Sequence, residues 1–243
     1  MENDEEVNEL LLSKNLNDQN DLQKIEDSIR SSFITKVYLI LLFQLSITSI
    51  FIFLSLFSPI YIEIVQNSIF LYYFFLIVSL ICVLIPICYP NLYQKVPLNY
   101  ILLTIFTIGF SYDVSFITSF YSANSVFFAV ILTFITVVTL TLYAKYTTKD
   151  FTIYGGSLLV FLSLLILGSL LRIFIDVPFF NFVISICVLV CFSAYIIYDT
   201  QLILGNRARE FSIDDYILAA MNLYLDIINL FLEILRLFGS RNN

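Results

Sequence analysis

The stretch YILAAMNLYLDIINLFLEILRLF, residues 216–238, decides the fold. A helix of this length, rising 1.5 Å per residue, crosses the roughly 30 Å hydrocarbon core of a bilayer. Most of it is Leu, Ile, Phe, Met and Ala, yet Asn222, Asp226, Asn229 and Glu233 recur at spacings of 4, 3 and 4. That spacing puts all four on one helix face. Such a stripe must face protein or water rather than lipid, so the segment belongs to a bundle of spans. For the two Asn alone, hydrogen bonds to neighbouring helices would explain the stripe. An Asp and a Glu on the same face point instead to a polar cavity.

Six more apolar runs precede it, near 34–57, 69–89, 100–121, 125–146, 155–175 and 179–204. Pro59, Tyr89-Pro90-Asn91, Ser122-Ala123-Asn124, Gly155-Gly156, Asp176-Val177-Pro178 and Gly205 punctuate them. Ser212 with Asp215 is a capping box for the last helix. The short turn at 122–124 predicts that spans 3 and 4 are antiparallel neighbours. The chain is 60% apolar and 13% charged, against roughly 45–50% and about 25% in soluble domains. An all-α membrane protein with seven transmembrane helices follows, and a soluble enzyme or nucleic-acid binder is excluded. With no His and no Gly-rich phosphate loop, His-based catalysis and nucleotide chemistry are excluded too. Cys82, Cys88, Cys187 and Cys191 lie in apolar runs and read as reduced core residues. No cofactor and no enzymatic activity are expected.

The net charge of −7 is unevenly placed: residues 1–30 hold nine acids against three bases. This predicts two parts, an acidic, mostly disordered tail over 1–30 and a near-neutral seven-helix domain over 31–243. A short helix over Asp21–Arg30 is compatible with its alternating charges. No basic segment precedes the first apolar run, so a signal peptide is not expected. The tail side of the bundle carries nine Lys and Arg and the other side three, which predicts a cytosolic N-terminus. If the last span were re-entrant the count would be eleven to one. The charge rule slightly prefers that form, and both stay open.

Intramembrane charges cost about 2.5–3.5 kcal/mol each on insertion scales, so buried acids are functional candidates. Asp113, Asp199, Asp226 and Glu233 fall inside spans, and no base lies deep in any. Asp199 and Asp226 are the foremost pair. Two close carboxyls without a base would share one proton, and when deprotonated would suit a hard cation such as Ca²⁺. By depth they meet only if span 6 runs past Leu204 or the helices tilt. Asp199 alone could instead pair with Arg207 or Arg209. Asp113 points away from the hydroxyl stripe of Thr104, Thr107, Ser111, Ser115 and Thr118.

Several short motifs occur in an order that resembles the Bax-inhibitor-motif family, in particular its Lifeguard branch. They are Arg30, Phe33, Lys36-Val37-Tyr38, Gln44-Leu45 and Thr48; Val96-Pro97-Leu98-Asn99-Tyr100 with Phe106-Thr107; and Thr133 with Lys149-Asp150-Phe151-Thr152. The C-terminal third adds Tyr198-Asp199-Thr200-Gln201, Asp214-Asp215-Tyr216 and Asn222 through Phe231. The resemblance covers about residues 30–240. It implies six helices surrounding a central seventh, and a pH-sensitive passive Ca²⁺ leak that suppresses cell death. It also implies a di-aspartyl pH sensor at Asp199 and Asp226, and an endoplasmic reticulum or Golgi membrane. One departure is Phe110, where the family often has a Glu, and Asp113 is the candidate replacement. Asn222, Asn229 and Glu233 are accessory polar candidates. The expected partners are the lipid bilayer, Ca²⁺ and membrane proteins contacted through the acidic tail. Two other functions compete. One is a non-catalytic scaffold for death regulators or channels. The other is an intramembrane aspartyl protease, which would need Gly-x-Gly-Asp where this chain has Leu223-Tyr224-Leu225-Asp226.

Overall fold

The computed structural model describes residues 2–89, 92–172, 174 and 177–241. Pro90, Asn91 and Asp176, read above as punctuation, lie outside the described residues. Eight helices follow one another: α1 (Glu2–Phe57), α2 (Pro59–Asn67), α3 (Ile69–Cys88), α4 (Leu98–Thr118), α5 (Ala123–Tyr146), α6 (Gly155–Leu171), α7 (Pro178–Leu204) and α8 (Tyr216–Phe238). Seven are long and apolar enough to cross a membrane, all except α2. The seven spans therefore stand. Pro59, read as a terminator, opens α2 instead: its missing N–H is harmless in a first turn, and the Ser58 hydroxyl caps the Tyr61 amide.

The acidic segment differs from the expected disordered tail. It is helical from Glu2 and continuous with the first span. Near the span, Lys24 bridges Asp21 one turn away, a spacing that supports helix.

Burial is concentrated in the last helix. Of its most apolar stretch 72% is buried, against 11% for α3 and 6% for α6. Helices α1, α4, α5 and α7 pack on α8, while α3 packs mainly on α4 and α6 mainly on α7. The outer faces of α3, α5 and α6 expose Phe70, Ile77, Phe127, Phe134, Leu159 and Leu164, an apolar belt that belongs in lipid.

One expectation is corrected here. Spans 3 and 4, which are α4 and α5, leave their tight turn antiparallel but do not pack along their length, because α8 packs on both of them. The last span, left open above, is an unbroken helix long and apolar enough to cross. Beyond it, Arg241 pairs with Tyr121 as an antiparallel bridge, and Ser122 donates its amide to the Ser240 carbonyl at 3.0 Å. Those partners form the α4–α5 turn, at the opposite end from the α7–α8 loop. The capping box is also absent. Ser212 makes no side-chain cap, and the Asp215 carboxylate accepts from Gln94 at 3.0 Å.

Candidate functional site

Helices α6, α7 and α8 enclose a cleft of about 500 Å³. Its polar lining comes from Asp199 on α7 and from Asn222, Asp226 and Asn229 on α8; Leu159, Leu162 and Ile166 of α6 supply an apolar wall. The 4, 3 spacing on α8 is what aims three polar side chains into one space. Both acids are buried, at 4% and 5% exposure. Their carboxyl groups are close enough to interact with one another. A carboxylate has no donor, so a bond between the two groups would need one proton held between them. Because α7 stops at Leu204, the helices meet by offset or tilt, not by extension of span 6.

No N–H or neutral hydroxyl donates to Asp226 Oδ2. Cys191, Tyr195 and Tyr198 are close enough to feel the pair, and none of these three is cationic. Asp199 does not pair with the loop arginines. Arg207 donates to the Thr147 carbonyl at 2.7 Å, and Arg209 reaches the Tyr198 hydroxyl. Asn229 donates to the Leu225 carbonyl at 2.8 Å, which leaves its amide oxygen for the cleft. Among the described residues no cluster of three His, Cys, Asp or Glu exists. A cation here would meet two carboxyls, Asn oxygens and water, a donor set that suits a hard ion.

The other candidates lie apart. Glu233 does not join the cleft: it accepts from Arg236 at 2.5 Å, one turn along α8. Sequence spacing placed it on the stripe but could not show that an arginine three residues on would claim it. Asp113 is buried between α3 and α4, accepts from Ser79 at 3.4 Å, and leaves its second oxygen without a partner. It therefore does not complete the α7–α8 pair. The hydroxyl stripe beside it has another role. Thr107 accepts from Gln44, Thr118 pairs with Ser55 at 2.9 Å, and Thr48 bridges Ser111 at 2.8 Å and Tyr224 at 2.7 Å. Thr104 lies outside this seam and caps its own helix carbonyl.

Two features at the tail end were not legible as functional. Arg30 donates to the carbonyls of Leu202 and Phe211, so α1 clamps the α7–α8 loop just beyond Asp199. Gly205 sits under that guanidinium at φ +74°, where a side chain would strike it. Gln201 accepts from the Phe151 amide at 2.7 Å and donates to the Lys149 carbonyl at 3.0 Å, tying the α5–α6 loop to α7. Asp150 accepts from the Thr152 hydroxyl at 2.6 Å and from the Ala208 amide at 2.9 Å. Those bonds, the Thr152 hydroxyl first, hold its carboxyl below the usual range. Gly155 leaves room for the Tyr198 hydroxyl at the mouth of the cleft.

The chain's likeness to known proteins fits this arrangement. A family model described as inhibitor of apoptosis-promoting Bax1 matches residues 30–243. Protein lifeguard 3 of Mus musculus is 34% identical over 218 residues, which is 88% of this chain and 71% of that protein. Its Homo sapiens counterpart is 34% identical over 221 residues, 88% of this chain and 70% of that one. Protein LIFEGUARD 4 of Arabidopsis thaliana is 36% identical over 209 residues, 82% and 81% of the two chains. The matched region holds the Asp199–Asp226 pair, the Arg30 clamp and all seven spans, and the chain belongs to the Bax inhibitor family, among its Lifeguard-like members.

Proposed function

We propose that this protein is a passive Ca²⁺ leak of an intracellular membrane, endoplasmic reticulum or Golgi, with a cytosolic N-terminus and a role in suppressing cell death. The observation that carries the reading is the buried pair Asp199–Asp226 in a cleft whose lining holds no Lys or Arg. With the proton in place the pair ties α7 to α8, and the cleft is neutral. When the proton leaves, two like charges in a low-dielectric site repel and loosen that contact. The same two carboxylates then attract a divalent cation, aided by Asn222 and Asn229. Flux should therefore rise as pH rises. The route past the pair follows the α8 stripe, and the Arg30 clamp sets how far the α7–α8 loop can move. Family membership supports the reading, since the motifs quoted above imply this activity.

Protein reconstituted in vesicles with an internal Ca²⁺ indicator tests it. The wild-type leak should increase between mildly acid and mildly alkaline pH, and Asp199→Asn or Asp226→Asn should flatten that profile. An unchanged profile in both variants would overturn the gate.

The second reading, a scaffold for death regulators or channels, is favoured by the acidic helix ahead of the bundle, which is exposed over residues 21–29. Deleting residues 2–29 separates the two, because a leak keeps its flux and a scaffold loses its partners. An aspartyl protease fits poorly: Leu223 and Leu225 stand at the two positions before Asp226 where such an enzyme needs glycine to admit a substrate backbone.

A further inference from the structure

A second cleft, of about 480 Å³, lies at the far end of the bundle, away from the Asp pair. It is lined by Arg236 in the last turn of α8, Arg241 beyond it, Tyr72 near the start of α3, Phe116 and Phe120 at the end of α4, and Leu232. All of these lie at or near one end of a membrane-spanning helix. The ring of Tyr72 stacks on Phe116 at 4.3 Å, and Phe116 meets Phe120 edge-on at 5.2 Å. Aromatic rings at that level mark the lipid headgroup zone.

The two guanidinium groups are held in place. Glu233 fixes Arg236 at 2.5 Å. Arg241 is fixed twice, by its backbone bridge to Tyr121 and by its guanidinium lying 5.6 Å from the centre of the Tyr121 ring. Arg172, at the end of α6, is close enough to feel both Glu233 and Arg236. Three arginines thus stand against one carboxylate. Asp113 is near Tyr72 but turned to Ser79. Arg236 and Arg241 are exposed at the cleft, with donors to spare.

We infer that this cleft binds an anionic phospholipid, its phosphate between Arg236 and Arg241 and its acyl chain along Phe116 and Leu232. Planar guanidinium donors match phosphate oxygens, and the apolar wall below them matches hydrocarbon. A soluble anion would use the arginines but not the wall, which is why the occupant is a lipid. A bound lipid here would brace α3, α4 and α8 at one end of the spans.

The test is native mass spectrometry of the detergent-purified full chain, titrated with dioleoylphosphatidylglycerol or dioleoylphosphatidylcholine. Wild type should retain the anionic lipid at least tenfold more tightly than the zwitterionic one. Arg241→Gln, beyond the last helix, should cut that preference by about fivefold, the effect of one arginine at an anionic surface. The double variant Arg236→Gln with Arg241→Gln should abolish it. Glu233→Gln should strengthen it, because it frees Arg236 without removing a cation. Equal binding of the two lipids by wild type would overturn the assignment. So would an undiminished preference in both arginine variants, or displacement of bound lipid by millimolar inorganic phosphate.

Discussion

Helix α8 has two buried polar faces, and they are built in opposite ways. Toward α1 and α4, the hydroxyls of Tyr224, Thr48 and Ser111 join one another at 2.7 and 2.8 Å. Toward α6 and α7, Asp226 faces the buried carboxyl of Asp199, and its Oδ2 has no neutral donor. A saturated network in a low-dielectric setting is rigid, and leaving any member unpaired is costly. An undersaturated acid pair has a second state within reach, because it can lose its proton or gain a cation. The residues are two positions apart on one helix. One face pins α8 to α1 and α4; the other, on the proposed reading, lets α7 move relative to it.

The widest separation of the two faces should come from Tyr224→Ala against Asp226→Asn. Tyr224 is fully buried and meets Phe106 and Phe110 edge-on, so its truncation leaves a cavity. The expected loss is about 3–5 kcal/mol, read as a fall in the thermal midpoint in detergent. Asp226→Asn keeps the shape, removes a buried acid, and should change stability by less than about 1 kcal/mol while altering the leak. If both variants unfold at the same lowered temperature, the two faces do not differ in kind.

Arg30→Gln comes next. It strips two backbone carbonyls of a charged donor, at about 1.5–3 kcal/mol for the charged contacts. The loss should be local: proteolysis within residues 205–211 should quicken while the α1–α4–α8 seam keeps its stability. Uniform unfolding would show that the clamp holds the whole bundle and not the loop beside the pair.

How much of this was readable beforehand depends on the range of the interaction. Spans of about twenty apolar residues announce themselves, and a 4, 3, 4 polar spacing on α8 is a local fact of helix geometry. The pairing of Asp199 with Asp226 was legible as chemistry, but their depths argued against contact, because offset and tilt are set by packing. Thr48 and Arg30 were visible only as members of a motif. What they do depends on partners 176 and 172 residues away, Tyr224 and Leu202. Glu233 misled because one arginine, Arg236, counted as a span-end charge, turned back to it. The separation of α4 from α5 could not be inferred, since nothing in a tight turn says that another helix packs on both.

Thr48→Val probes the seam more gently. It preserves volume but takes a partner from both Ser111 and Tyr224. Interhelical hydrogen bonds in membranes average about 0.6 kcal/mol with a maximum near 1.7, and a loss in that range is expected. The pH profile of the leak should keep its shape. A shifted profile would mean that the seam and the acid pair are coupled through α8.

The smallest effect sharpens the comparison from outside the membrane. Asp150 is an acid saturated with donors, the inverse of Asp226, and it joins the α5–α6 and α7–α8 loops. Its carboxyl is held below the usual range, so its folded form binds a proton less readily than the unfolded chain. The stabilisation is then complete above the unfolded value, about pH 4, and fades as pH falls through the lower folded value. The thermal midpoint of wild type should exceed that of Asp150→Asn at neutral pH, and the two should converge in acid. Comparing the two proteins at each pH cancels the contribution of the Asp199–Asp226 pair, which both retain. A constant gap from neutral pH into strong acid would mean that Asp150 acts through shape alone. The charged latch and the proton-sharing pair would then not be opposite uses of one functional group.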